Sequence, residues 1–107
     1  MALQSLAISL TLCAIAFAAC SGGSSRDVTG VVISVDAPTL VQLNSFTLRS
    51  DGGETLVFRP GPECSRDPQN GCVGSHLRSH LALGTKVQIT YRKEGSDLLA
   101  LKIVDIL

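Results

Sequence analysis

The region after residue 27 opens with apolar and polar residues that alternate with a period of two. Val31, Ile33 and Val35 alternate with Val32 and Ser34. This pattern is typical of a strand with one buried face. It predicts a first strand that turns Val31, Ile33 and Val35 toward the core.

Two further strands are predicted before the middle of the chain. Residues 39–50 predict a second strand region, in which the apolar parity changes near Asn44-Ser45. A change of parity by one residue reverses the faces of a strand, so we expect a bulge there. Asp51-Gly52-Gly53 predicts a hairpin turn, and Glu54–Arg59 predicts the third strand.

A short helix is predicted after a loop at residues 60–74. Ser75 is a candidate N-cap for a helix from His76 to Leu83, and Gly84 is placed to end it. Leu77 and Leu81 are four residues apart, so both are expected to dock the helix on the sheet.

The last part of the chain predicts two more strands, Thr85–Arg92 and Leu98–Ile106, joined by a turn at Glu94–Asp97. Three strands, a short helix and two strands follow the order of an OB-fold barrel. The sequence therefore predicts a mainly β fold, a small five-stranded OB-like barrel with one short helix between strands 3 and 4. The inward residues expected on the last two strands are Val87, Ile89, Tyr91, Leu99, Leu101 and Ile103.

The strand segments resemble small OB-like domains of unknown function in exported bacterial proteins. The resemblance covers about residues 28–106 and implies a fold, but it assigns no functional residue. The segments that carry it are 29–36, 46–53, 76–80, 84–91 and 99–103.

Charge divides the chain into two parts. Residues 1–25 carry no charge, and all nine Lys and Arg and all nine Asp and Glu lie from Arg26 onward. The apolar run Leu6–Phe17 has the length of the central region of a signal peptide. The first part is therefore expected to be a targeting segment.

The end of that segment, Phe17-Ala18-Ala19-Cys20, resembles the lipobox of bacterial lipoproteins. The resemblance implies cleavage before Cys20, a lipid on its thiol and acylation of the new amino group. Several acyl chains on one residue give stable membrane anchoring. We therefore expect a signal peptide at 1–19, a lipidated cysteine with a flexible Ser/Gly tether at 20–26 and an OB-like domain at 27–107.

Two other interpretations of the leader stay open. Ala16-Phe17-Ala18 also fits a cleavage site for ordinary secretion, and an uncharged stretch of this length also fits an uncleaved membrane helix, which needs about 20 residues. Cysteine parity favours the lipoprotein. Cys13 would leave with the leader and Cys20 would carry the lipid, so that Cys64 and Cys72 remain as an even pair.

Cys64 and Cys72 lie together in the loop at residues 60–74, which holds three of the four prolines. In an oxidising compartment two such thiols usually form a disulfide. Cleavage before Cys20 would leave 88 of the 107 residues. A domain of that size buries only about 60% of its unfolded surface, so a covalent link would help it.

Metal binding is the alternative for the same loop. The spacing Cys64-x7-Cys72-x3-His76-x3-His80 contains four nitrogen or sulfur ligands, and the two histidines would share one helix face. A tetrahedral Cys2His2 zinc site is conceivable, although common zinc patterns place their cysteines closer together. Our first interpretation is a disulfide beside two exposed histidines, with no cofactor.

Nucleic-acid binding and catalysis have little support in the sequence. The charged region is neutral overall, and the aromatic residues Phe46, Phe58 and Tyr91 lie at inward positions. A stacking platform for single strands needs exposed aromatics in a positive groove. No strand–turn–helix nucleophile motif occurs. We expect no nucleic-acid partner, no catalytic residues and no enzyme.

The expectation that remains is a non-catalytic binding or accessory module of the bacterial cell envelope. It would be membrane-bound through lipid on Cys20 and face away from the cytoplasm. Ser21 follows that cysteine, which by lipoprotein sorting rules implies the periplasmic face of the outer membrane in a cell that has one. Its partner would be another envelope protein or a glycan.

The leader and the cysteines make a joint prediction about mass. Protein extracted from membranes and alkylated without reductant should begin at Cys20, carry acyl mass and take up no alkyl group, because Cys64 and Cys72 are bonded to each other. Intact-mass spectrometry measures all three features. Two alkyl groups would instead show free or metal-bound thiols.

Overall fold

A computed structural model describes residues 24–106; the predicted leader, Cys20 and Ser21–Gly23 lie outside the described residues. Five strands form a closed barrel in the order β1-β2-β3-β5-β4, which confirms the OB-like prediction. No helix within residues 24–106 has the length and apolar character needed to cross a membrane. The elements are β1 (Arg26–Asp36), β2 (Ser45–Ser50), β3 (Thr55–Pro60), α1 (Gly74–Leu83), β4 (Lys86–Glu94) and β5 (Asp97–Asp105).

The barrel closes unevenly between β3 and β5. These strands run parallel and pair at only three positions, the last of which joins Pro60 to Ala100. Gly61 extends the contact by donating its backbone N–H to the Ala100 carbonyl at 2.8 Å. On the edge away from β4, the part of β5 after Ala100 therefore faces the loop that follows β3 instead of another strand.

Aromatic side chains fill the middle of the barrel. Phe46 and Phe58 are buried and stacked with ring centroids 5.4 Å apart, and the half-buried Tyr91 meets Phe58 edge-on at 5.2 Å. Such pairs add about 0.5–1.5 kcal/mol to the stabilisation from burial alone. The prediction that the three aromatics face inward is confirmed.

The inward positions predicted on β1 and β5 are correct only in part: Val35 and Ile103 contact the core, and bulges account for the others. In β1 the pairing with β2 shifts between Val32 and Ser34, so Val32 is buried and Ile33 is 38% exposed. In β5 the pairing with β4 skips Leu101, so Ala100 is buried and Leu101 is only half-buried. One extra residue reverses the alternation, and a strict period of two does not reveal where that occurs.

The predicted second strand is shorter than expected. Its first part is a loop, since β2 begins at Ser45 and Val41 is 68% exposed. Thr39 turns this loop, because its hydroxyl accepts hydrogen bonds from the backbone N–H groups of Val41 and Gln42. The change of parity near Asn44-Ser45 therefore marks the boundary between loop and strand, not a bulge.

The helix differs from the prediction at its start and on its buried face. It begins at Gly74, preceded by Val73, without the side-chain cap expected from Ser75. Leu77 is fully buried as expected, but Leu81 is 39% exposed. The end is as predicted: Gly84 has a φ of 69° and donates its N–H to a carbonyl of the last turn.

Gly30 makes the tightest approach between β1 and β2, and it generates a stability prediction. A Cβ at this position would lie 2.2 Å from the Arg49 carbonyl oxygen, whereas a Cβ at Gly52 would have only ordinary contacts. Gly30→Ala should lower the free energy of unfolding by about 1–3 kcal/mol through overpacking. Gly52→Ala, the matched control, should change it by less than about 0.5 kcal/mol. Urea denaturation measures both, and equal effects would contradict the close approach.

Candidate functional site

The loop after β3 and the free part of β5 form the two walls of a groove of about 580 Å³. Its floor and rim mix apolar side chains of β5 with polar side chains of the loop. We call this feature the β5 groove. Its lining residues are Glu63, Cys64, Ser65, Asn70, Leu101, Lys102, Ile103, Val104 and Asp105.

A disulfide between Cys64 and Cys72 closes the loop, as the first interpretation of the sequence predicted. Both cysteines are buried in the core cluster. The backbone N–H of Cys72 also bonds to the Ser65 carbonyl at 2.7 Å. Closing a loop of this size stabilises the fold by about 2.5 kcal/mol in the chain-entropy model. The loop wall is therefore tied to the core at both ends.

The two helix histidines are buried, which corrects the expectation that they are exposed. The side chains of His76 and His80 are only 2% and 6% exposed. They lie one turn apart on the inner face of α1, and their ring centroids are 4.9 Å apart. The period of apolar residues does not predict the burial of these histidines, because a histidine on a helix counts as a polar, solvent-exposed position.

A third residue, Asp105 at the end of β5, joins the histidines. Its Oδ1 atom lies 2.9 Å from Nε2 of His76 and 2.7 Å from Nε2 of His80. The two Nε2 atoms are 3.2 Å apart. We call these three residues the His-His-Asp cluster. Asp105 could not be predicted as a member of this cluster, because it lies 25 residues beyond His80 and is brought close only by the barrel.

Each histidine ring is also held at its other nitrogen. Nδ1 of His76 donates to the Gly71 carbonyl at 2.8 Å. Nδ1 of His80 lies 2.7 Å from the hydroxyl of Thr85, which can donate or accept. Gly71 directly precedes Cys72, so the disulfide loop itself supplies the group that orients His76.

The pKa of the Asp105 carboxyl reflects these neighbours. Burial raises it, but hydrogen bonds from His76 and His80, made when their Nε2 atoms carry protons, outweigh burial, and the net pKa lies below the ordinary value of 3.8. A lowered pKa means that the ionised carboxylate stabilises the fold above pH 3.8, and that this contribution is lost as the pH falls through the lowered value.

A second charged group lies at the opposite end of the β5 groove. Arg92 pairs with Glu63 and with Glu94, and the hydrogen bond from Arg92 holds the pKa of the Glu63 carboxyl below its ordinary value. The groove is thus bordered by an ion pair at one end and by the Asp105 carboxylate at the other.

The structure does not assemble the four-ligand set of the metal alternative. Both sulfurs are used in the disulfide, so Cys64 and Cys72 offer no thiolate. His76 and His80 do come together, with Asp105 in place of the cysteines. The cluster offers two imidazole nitrogens and one carboxylate oxygen, and such a group of atoms can bind either a proton or a metal cation.

Fold and site together define an OB-like barrel whose groove joins a disulfide-closed loop to a His-His-Asp cluster in which the two histidines are buried. Comparisons of the chain with protein-family models, with curated proteins and with solved structures found no match.

Proposed function

We propose that this chain is an exported, lipid-anchored, non-catalytic binding module of the bacterial cell envelope, and that the β5 groove holds its partner. One observation carries the proposal: a loop that is closed by a disulfide forms one wall of the groove. Loops that are held on a rigid scaffold are common binding sites.

The disulfide supports the extracytoplasmic address. Disulfides persist in secreted and envelope proteins and are rare in the cytosol, where thiols are kept reduced. The lipobox-like Phe17-Ala18-Ala19-Cys20 supports anchoring through Cys20. The uncharged Ser/Gly segment that follows would let the barrel stand clear of the membrane surface.

The free edge of β5 favours a protein partner over a glycan. β5 pairs with β4 from Asp97 to Asp105 except at the bulged Leu101, but with β3 only as far as Ala100. An unpaired strand edge can add an extended segment through main-chain hydrogen bonds, with alternate side chains setting specificity. The half-buried Leu101 and the exposed Val104 would offer apolar contacts along that edge.

Site-specific photo-crosslinking in cells tests the proposal. A photoreactive residue at Asn70 or at Val104 reports on the two groove walls, whereas one at the exposed Arg49 of β2 is the control. We expect the same envelope protein to be crosslinked from both groove positions and not from Arg49. We also expect Cys20→Ala to release the protein from membranes and to weaken the crosslink.

Three outcomes would contradict the proposal. The first is a crosslink pattern from Arg49 equal to that from the groove. The second is no crosslinked partner from either groove position in a strain that produces the folded protein. The third is recovery of the wild-type protein from the cytosol with unlipidated Cys20.

A further inference from the structure

Three ligand atoms converge where α1 meets the end of β5. They are Nε2 of His76, Nε2 of His80 and Oδ1 of Asp105. The carboxylate oxygen lies 2.9 Å from Nε2 of His76 and 2.7 Å from Nε2 of His80, and the two nitrogens are 3.2 Å apart. The two nitrogens are buried, while the Asp105 side chain is 43% exposed. One side of the cluster is therefore open to solvent through the carboxylate.

If the ring of His76 is neutral, counting protons shows that these contacts cannot all be hydrogen bonds. The Gly71 carbonyl only accepts, so Nδ1 of His76 must carry a proton. In a neutral ring Nε2 of His76 then has a lone pair, and it faces the Asp105 oxygen, which is also an acceptor. His80 has at most one Nε2 proton to serve both neighbours. A cation at the centre would satisfy all three lone pairs.

The spacing also suits a metal ion. Zn²⁺ binds imidazole nitrogen and carboxylate oxygen at about 2.0–2.2 Å, which places tetrahedral ligand atoms about 3.3 Å apart. The observed separations of 2.7–3.2 Å need to open by about 0.1–0.6 Å to reach this value. Two imidazoles, one carboxylate and an open position form a donor set typical of zinc and related divalent transition metals.

The surroundings of the cluster resemble those of bound metals. A metal-ligating histidine commonly donates its second ring nitrogen to a carbonyl or another fixed acceptor, which orients the ring. Gly71 performs this role for His76, and the Thr85 hydroxyl, acting as acceptor, can do so for His80. Both rings are thus held with Nε2 aimed at the same point.

We propose that His76, His80 and Asp105 bind one divalent transition-metal ion, with Zn²⁺ as the best match. Because Asp105 also lines the β5 groove, the ion would lie at the end of the groove with a coordination position left for water or a ligand group. This inference is independent of the lipid anchor and of the partner that the groove binds.

Zinc retention by the purified, untagged protein tests the site. The oxidised full chain is stripped with a chelator, dialysed against micromolar Zn²⁺ and assayed for metal content and melting temperature. We expect one zinc ion per wild-type chain and a melting temperature that rises with zinc concentration. Asp105→Asn keeps the shape of the side chain and should weaken zinc binding at least about tenfold, since even outer-shell partners are worth 10–100-fold.

Asp97→Asn is the matched control, because Asp97 is an exposed carboxylate on the same strand, 3.8 Å from Arg59 and away from the cluster. It should bind zinc as the wild type does. His80→Gln is a second ligand variant. A cooperative melting transition of each variant in chelator shows that the variant folds. If His80→Gln does not fold, zinc binding by Asp105→Asn alone tests the site.

Two results would overturn the proposal. One is wild-type protein that retains no zinc and gains no stability, which would identify the cluster as a protonated histidine paired with Asp105. The other is zinc that binds equally to wild type and to folded Asp105→Asn, which would place the ion elsewhere.

Discussion

The covalent closure of the Cys64–Cys72 loop is the constraint on which the rest of the site depends. The loop contributes no regular secondary structure between β3 and α1, so chain entropy would otherwise favour its opening. The disulfide and the hydrogen bond from Cys72 to Ser65 fix its path. This path forms one wall of the β5 groove and places the Gly71 carbonyl within hydrogen-bond distance of Nδ1 of His76. The disulfide-closed loop therefore positions both the β5 groove and the His-His-Asp cluster.

The His-His-Asp cluster is a costly feature in so small a domain. Buried polar groups without partners cost about 1–3 kcal/mol each, and buried charges cost more. Here Nδ1 of each ring has a hydrogen-bond partner, and the carboxylate of Asp105 reaches solvent. Replacing a buried ion pair by apolar residues of similar volume is often neutral or stabilising, so the stability of the fold alone does not explain such a cluster.

Much of the barrel could be predicted from the sequence, because its elements follow local rules. The alternation in β4, the hairpin at Asp51–Gly53 and the glycine that ends α1 each depend on a few neighbouring residues. The faces of β1 and β5 could be predicted on one side of each bulge only, because a bulge adds a residue without leaving a mark in the period. The disulfide followed from cysteine parity and compartment, two arguments that do not need the fold.

Only part of the candidate site could be predicted, because the rest depends on contacts between distant parts of the chain. The spacing of His76 and His80 places them on one helix face, and this holds in the structure. Their burial and their partner Asp105 depend on how the barrel closes, and nothing in the spacing of the chain encodes that contact. The histidines and their helix could be predicted from the sequence. The metal alternative grouped them with Cys64 and Cys72, because these were the nearest ligand types along the chain.

The claim that the loop fixes the protonation of His76 can be tested most directly by long-range ¹H–¹⁵N NMR of its ring. In the oxidised protein Nδ1 of His76 should carry a proton both before and after zinc is added, because it donates to the Gly71 carbonyl. The folded Cys64→Ala/Cys72→Ala variant should lose this preference. A ring in the oxidised protein with its only proton on Nε2 would contradict the account, because that nitrogen would then have no lone pair for a metal ion.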